Sequence, residues 1–263
     1  MNIVVGEAEP RFAGTRVVVK VGSSSVSGEN AAQIPRLVDS LARLYRAGCE
    51  VILVSSGAIA TGVPFLKLAA RPDDLATQQA AAAVGQNILV NRYQHALSGY
   101  EIVGGQVLLT AADLKNDTPR ANAKRALERL LELGILPIIN ENDTVATHEI
   151  RFGDNDRLAA LVARLVRADH LVLLSDVDAL YTAPPQNPGA TRIAHVAYGD
   201  ELEGVEIGAT QSGWGTGGAA TKVQAARLAA DAGTIVLLTE MRMFSALLDG
   251  ADVGTLFDAA PRG

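Results

Sequence analysis

Six short apolar runs, separated by segments with helical spacing, constrain the fold of this chain more than any other feature. Each run is rich in Val, Ile and Leu and continuous rather than alternating, which is typical of strands buried on both faces. The connecting segment 34–45 repeats its apolar residues at helical intervals, and Gly48 follows as a C-cap. Strands alternating with helices predict an α/β domain whose mostly parallel sheet lies between helices. The runs are residues 16–22, 50–56, 102–110, 134–140, 170–176 and 234–240.

Composition and charge narrow the class of protein. Of the 263 residues, 48% are hydrophobic and only 4% aromatic, which predicts an aliphatic core. The net charge of −6, from 23 Lys and Arg against 29 Asp and Glu, argues against a nucleic-acid partner. Because no run approaches the ~20 apolar residues of a membrane span and the N-terminus lacks a signal-peptide pattern, we expect a soluble, cytoplasmic protein with no membrane partner. The single cysteine, Cys49, is interpreted as a small buried residue ahead of a strand.

Small polar residues follow five of the predicted strands. Ligands of open parallel sheets bind beyond the carboxyl ends of the strands, so these exits are the candidate site. Ser, Gly, Asn and Asp are also ordinary turn residues, and one such exit alone would indicate little. The run 139–165 is the richest in carboxylates and amides, and its Asn and Asp side chains could bind a ligand, cap the next helix, or do both. The five exits are residues 20–25, 55–57, 140–143, 175–176 and 239–240.

Two lysines stand next to glycine-rich or serine-rich segments. Lys20 lies among valines inside a predicted strand, where its charge needs a partner unless the side chain reaches solvent at the strand end. Lys222 follows the glycine-rich loop that ends at Gly218 and lies in the first turns of a helix, where backbone amides favour anions. The alternative for Lys222 is a solvated side chain after a flexible loop. Together the two lysines suggest a site for a polyanion.

The glycine-rich loop also has the spacing of a dinucleotide fingerprint, formed by Gly213, Gly215 and Gly218. A buried strand should precede a dinucleotide-binding loop, but the segment ahead of this loop is polar and does not have the pattern of a buried strand. A Walker A loop is excluded because Thr221, not Gly, precedes Lys222. Residues 199–218 therefore predict an irregular, lid-like segment, and the Pro- and Gly-rich stretch 181–192 predicts a surface loop that follows a short hairpin.

An ordered set of motifs resembles the glutamate 5-kinases of the amino acid kinase family. The set is VVVKVGSSSV, VILVSSGAIATG, AAVGQ, GQVLLT, ILPIINENDTVA, FGDNDRLAALVA, LLSDVDALY and GTGGAATKVQAA, within residues 14–257. The resemblance implies a central sheet of about eight strands and transfer of the γ-phosphoryl group of ATP to the side-chain carboxylate of L-glutamate, the first step toward proline. It implies Mg²⁺ carried on ATP and not by protein side chains.

The resemblance also implies a role for individual residues. Catalysis is assigned to Lys20 and Lys222, with Asp154 orienting both lysines. The positions implied to bind glutamate are Ser56, Asn140, Asp143 and Asn155. The positions implied to face the nucleotide are Lys20, Ser175, Asp176, Thr216, Gly217, Gly218 and Lys222.

Partners and domain content follow from the same resemblance. Many members continue into a small PUA module, but only six residues follow Phe257 here, so we expect one kinase domain over 1–263 without that module. A homo-oligomer and feedback inhibition by L-proline are expected from the family. Another acceptor specificity within the family and a nucleotide sensor without catalysis are the competing hypotheses; the run INENDTVA favours glutamate over other acceptors, and the presence of both lysines argues against the sensor.

Overall fold

One central sheet runs through the protein, a computed structural model that describes residues 12–67, 72–146, 155–205 and 218–261. The sheet strands are β1 Arg16–Val21, β2 Glu50–Ser55, β3 Gly104–Leu109, β4 Leu136–Glu141, β5 His170–Ser175, β8 His195–Val196, β9 Ile235–Glu240 and β10 Thr255–Phe257. Their order in the sheet is β3-β4-β2-β1-β5-β9-β10-β8. The first six strands of that order are mutually parallel, whereas β10 is antiparallel to β9 and pairs in parallel with β8. This confirms the predicted fold class and all six predicted strands.

Helices cover both faces of the sheet. The stretch 181–192, predicted to follow a short hairpin, instead connects the two strands of one, β6 Leu180–Tyr181 and β7 Arg192–Ile193. Short 3-10 turns lie at Gly28–Gln33, Val63–Leu66 and Met241–Met243. The α-helices of the described residues are α1 Ser23–Val26, α2 Ile34–Arg46, α3 Ala58–Gly62, α4 Leu75–Ser98, α5 Ala111–Lys115, α6 Asp117–Glu132, α7 Asn155–Val166, α8 Ala219–Ala230 and α9 Phe244–Leu248.

The central strand β1 divides the core into two clusters. Because successive side chains of a strand point to opposite faces, Val17, Val19 and Val21 pack with α2, α4 and α9. Val18 packs on the other face with residues of α6, α7 and α8. Lys20 has the parity of Val18, so its side chain lies on the face that α7 and α8 cover.

The predicted end of α2 is confirmed. Gly48 adopts φ 77°, in the left-handed region that glycine favours after a helix. Its amide donates to the carbonyl of Tyr45 at 3.1 Å. The next residues return the chain to β2, which starts at Glu50.

Helices α3 and α4 cross at unusually close range through two glycines. A Cβ placed on Gly85 would lie 1.8 Å from the carbonyl oxygen of Ala58, and one on Gly62 would lie 1.9 Å from that of Ala81. Since α3 begins just after β2, this crossing fixes α4 against the carboxyl end of the sheet. None of the described helices is long and apolar enough to span a membrane.

Candidate active site

Two buried lysines share one buried carboxylate at the carboxyl end of β1. Lys222 Nζ donates to Asp156 Oδ2 at 3.1 Å, and Lys20 Nζ is paired with Asp156 Oδ1. The lysines are 5% and 7% exposed and Asp156 is 1% exposed, so neither lysine is a solvated or snorkelling side chain. The partner predicted for Lys20 is thus present, and the group as a whole has one ammonium in excess.

Asp156 is the residue that the sequence reasoning missed. It lies in the first turn of α7, and Ala159, Ala160 and Ala163, all buried, follow it at i+3, i+4 and i+7. This periodicity places Asp156 on the buried face of the helix and could have singled it out. Asp154, predicted to orient the lysines, lies outside the described residues, and the carboxylate that contacts both lysines is that of Asp156.

The charge state of Asp156 is set by two opposing effects. Burial disfavours the carboxylate, whereas Lys20 and Lys222 stabilise it by charge and hydrogen bonding. The lysines prevail, and the pKa of Asp156 is lowered from 3.8 to about 2. The carboxylate is therefore ionised at neutral pH and holds both ammonium groups in place.

Asn155, the neighbour of Asp156, joins the exits of β2 and β4. Its Nδ2 donates to Ser56 Oγ at 2.8 Å, to the carbonyl of Ser55 at 3.1 Å and to Asn140 Oδ1 at 3.1 Å. Its Oδ1 is buried and has no hydrogen-bond partner among the described residues. A buried acceptor without a donor is costly, which makes this oxygen a candidate contact for a ligand that carries an N–H group.

Three of the four residues predicted to bind substrate thus lie in one hydrogen-bonded cluster, made by Ser56, Asn140 and Asn155. The fourth, Asp143, is half-buried in the turn that follows β4. Because β2 and β4 are neighbours in the sheet, this turn lies at the same edge as the cluster.

The other half of the edge carries the positions predicted to face a nucleotide. At the end of β5, Ser175 is buried and its Oγ donates to Asp176 Oδ1 at 3.0 Å, while Asp176 is exposed. Gly218 caps the start of α8, and its carbonyl accepts from the amide of Lys222 at 3.2 Å. Thr216 and Gly217 lie outside the described residues. The described part of the segment before the loop, 197–205, contains no strand, contrary to what a dinucleotide fingerprint requires.

The site therefore has two polar regions with a cationic group between them. The cluster of Ser56, Asn140 and Asn155 lies on the β2–β4 side, and Ser175 and the start of α8 lie on the β5–β9 side. The paired lysines lie between these regions, since Lys20 belongs to β1, the strand between β2 and β5. Such an arrangement can hold a polar acceptor on one side and an anionic donor on the other, with the excess positive charge at their junction.

Comparisons with known proteins place this geometry in a family. The sequence profile of the amino acid kinase family matches residues 15–238. A curated relative from Clavibacter sepedonicus named Glutamate 5-kinase is 70% identical over 247 residues, which cover 94% of this chain and 95% of the relative. A relative of the same name from Salinispora arenicola is 55% identical, with 95% of this chain and 69% of the relative covered. The solved structure of carbamate kinase from Giardia lamblia bound to AMP-PNP has the same fold, with a TM-score of 0.69 at 16% identity over 95% of this chain and all of that one.

Proposed function

The chain belongs to the amino acid kinase family, and we propose that it transfers the γ-phosphoryl group of ATP to the side-chain carboxylate of L-glutamate. The observation that carries the proposal is the adjacency of Asn155 and Asp156. One residue contributes a buried acceptor beside a polar cluster, and the next holds the two lysines. The choice of glutamate as acceptor is supported by relatives of 70% identity that are named Glutamate 5-kinase.

The reaction needs no general base from the protein. A glutamate side-chain carboxylate has a pKa of about 4.3, so it is a nucleophile at neutral pH. One of its oxygens forms a bond to the γ-phosphorus, the bond from that phosphorus to the bridging oxygen breaks, and ADP leaves with the electron pair. The products are L-glutamyl 5-phosphate and ADP.

Catalysis must overcome the repulsion between a carboxylate and a triphosphate. Lys20 and Lys222 supply ammonium groups held in place by Asp156 before any ligand arrives, which is preorganised electrostatic stabilisation. Among the described residues no three His, Cys, Asp or Glu side chains gather in a way that could hold a metal ion. We propose that Mg²⁺ is carried on the nucleotide phosphates, where it would neutralise charge on the transferring group.

Recognition of the amino acid is proposed for the β2–β4 side. The α-ammonium would donate to Asn155 Oδ1 and to the carboxylate of Asp143. The Ser56 hydroxyl, which already accepts from Asn155 Nδ2, has its own proton left to donate to a substrate carboxylate. Inhibition by L-proline and association into a homo-oligomer stay predictions.

The test is to trap the acyl phosphate with hydroxylamine in mixtures of glutamate, Mg²⁺ and ATP. We expect a hydroxamate with glutamate and little with aspartate or N-acetylglutamate. Lys20→Met and Lys222→Met should lower turnover by a factor on the order of 10²–10³, the loss of one electrostatic stabiliser. Lys124→Met, which removes a half-exposed lysine on α6 paired with Glu128, is the control and should keep the wild-type rate. No hydroxamate from wild-type protein, or normal rates in the Lys20 and Lys222 variants, would overturn the proposal.

A further inference from the structure

A buried glutamine on α4 contacts the hydrogen-bonded cluster of Ser56, Asn140 and Asn155 through Asn140. Gln86 is 9% exposed, and its Oε1 accepts from Asn140 Nδ2 at 2.7 Å. The neighbouring Gly85 forms the close crossing with α3, and that crossing holds this turn of α4 next to the exit of β2. Gln86 therefore reaches the cluster from a rigid helix.

Two backbone groups fix which way the amides of the cluster point. The amide of Glu141 donates to Asn140 Oδ1 at 2.9 Å, so the Oδ1 of Asn140 cannot be exchanged with its Nδ2 without placing two donors face to face. Likewise Asn155 Nδ2 faces the carbonyl of Ser55, a group that only accepts. The Oδ1 of Asn155 is consequently the atom left to receive a donor.

Within this network Gln86 Oε1 accepts from Asn140 Nδ2, a nitrogen that has no other acceptor in the cluster. Asn140 is 2% exposed, so in the absence of the Gln86 oxygen its Nδ2 would be a buried donor with no acceptor. If Asn140 turned over to relieve that cost, its Nδ2 would meet Asn155 Nδ2 and the amide of Glu141, and three donors would converge. Gln86 thus adds to the Glu141 amide in orienting Asn140, and Asn140 Oδ1 adds to the carbonyl of Ser55 in orienting Asn155.

We propose that Gln86 is a positioning residue that, through Asn140, keeps the Oδ1 of Asn155 available to the ammonium group of the substrate and so selects amino acids over plain dicarboxylates. This inference rests on the proposed function and deepens it, since it concerns the acceptor side of the same site. Gln86 itself contacts neither the lysines nor the positions assigned to the nucleotide in any described hydrogen bond.

The experiment compares glutamate with glutarate, which has both carboxylates and lacks the ammonium. In Gln86→Met, which keeps the length of the side chain and removes the acceptor, we expect the KM for glutamate to rise about tenfold and the preference for glutamate over glutarate in kcat/KM to fall about tenfold, the scale of one hydrogen bond to a charged group. The KM for ATP should stay within about twofold of wild type. Gln86→Glu keeps an acceptor oxygen and should retain most of the preference.

A matched control lies on the same helix. Gln94 also accepts a partly buried hydrogen bond, from the amide of Gly104 at 2.9 Å, but it lies two helical turns beyond Gln86 on α4. Gln94→Met should leave the glutamate preference unchanged. If Gln86→Met fails to fold, Gln86→Ala, which suits a helix, replaces it.

The outcomes separate the two proposals. Equal losses with glutamate and glutarate, a parallel rise in the KM for ATP, or loss of preference in Gln86→Glu would overturn the role of Gln86. Failure of the wild-type protein to phosphorylate glutamate would instead overturn the proposed function.

Discussion

At Asp156 a single carboxylate pairs with two buried ammonium groups. Burial of a charge is tolerated when it is paired and hydrogen-bonded, and removal of one partner leaves an uncompensated charge behind. Here removal of the carboxylate would leave two. Asp156 is therefore expected to matter for stability as well as for catalysis.

We predict that Asp156→Asn lowers the free energy of unfolding by about 3–5 kcal/mol at pH 7. The pKa of Asp156 is lowered to about 2, so its contribution is complete above pH 3.8 and is lost as the pH falls through about 2. Urea unfolding between pH 7 and pH 2.5 should show that the wild type loses part of this stability below about pH 3.8, in addition to any acid loss that the variant also shows. Asp117→Asn, at a carboxylate whose side chain is 90% exposed, is the control and should change stability by less than about 0.5 kcal/mol. Parallel acid profiles of Asp156→Asn and wild type would contradict the assignment.

The residues of the site were predictable to different degrees. Lys20 is conspicuous because a charge among valines demands a partner, and Ser56, Asn140 and Asn155 were named from motifs that lie at strand exits. The identity of that partner depends on which of two aspartates in GDND faces inward, which is a matter of helix phase. Gln86 ends the quoted motif AAVGQ, but that motif assigned it no role, because the role arises from a contact with Asn140, 54 positions along the chain.

Among the elements, the crossing of α3 and α4 has the least room for change. At Gly85 a Cβ would lie 1.8 Å from the oxygen of Ala58 and 2.5 Å from the amide nitrogen of Gly62. Both obstacles are backbone atoms and cannot rotate away as a side chain could. The two helices would have to separate, and α4 carries Gln86 while α3 follows directly on Ser56.

We therefore expect Gly85→Ala to lower stability by about 3 kcal/mol, at the upper end of overpacking costs, and the Tm by roughly 6–12 °C. Gly99→Ala tests the same substitution at the end of α4, where φ is −65° and the nearest atom would be 3.6 Å away. That control should leave the Tm unchanged or slightly raised. Thermal unfolding of the two variants decides the matter, and equal Tm values would contradict the close crossing.

The long strands were predictable as elements because their apolar runs are continuous. Predicted limits such as 102–110 differ from Gly104–Leu109 only at the ends. By contrast β8 and β10, with two and three residues, were not predicted. Strands so short contain no periodicity, and they exist because β9 and each other supply their hydrogen-bond partners.

For the whole molecule, binding on the two sides of the sheet edge should appear as two separate contributions to stability. A ligand at 100 times its Kd adds about 2.7 kcal/mol, which corresponds to a Tm increase of roughly 5–10 °C for a domain of this size. We predict such increases for Mg²⁺ with ATP and for glutamate. In Asp143→Ala the increase with glutamate should shrink to that seen with glutarate, and the increase with ATP should remain. If Asp143→Ala instead lost only the Tm increase with ATP, the assignment of Asp143 to amino-acid binding would be contradicted.

The direct succession of Asn155 and Asp156 has a consequence for how such a site can diversify. A change in the first turn of α7 that altered the choice of acceptor would also displace Asp156, the counter-ion of both lysines. Acceptor selectivity and the catalytic lysines are therefore hard to change independently at this point of the chain. New acceptors would more readily arise through the turns after β2 and β4, which are proposed to contact the amino acid and do not carry the lysine pair.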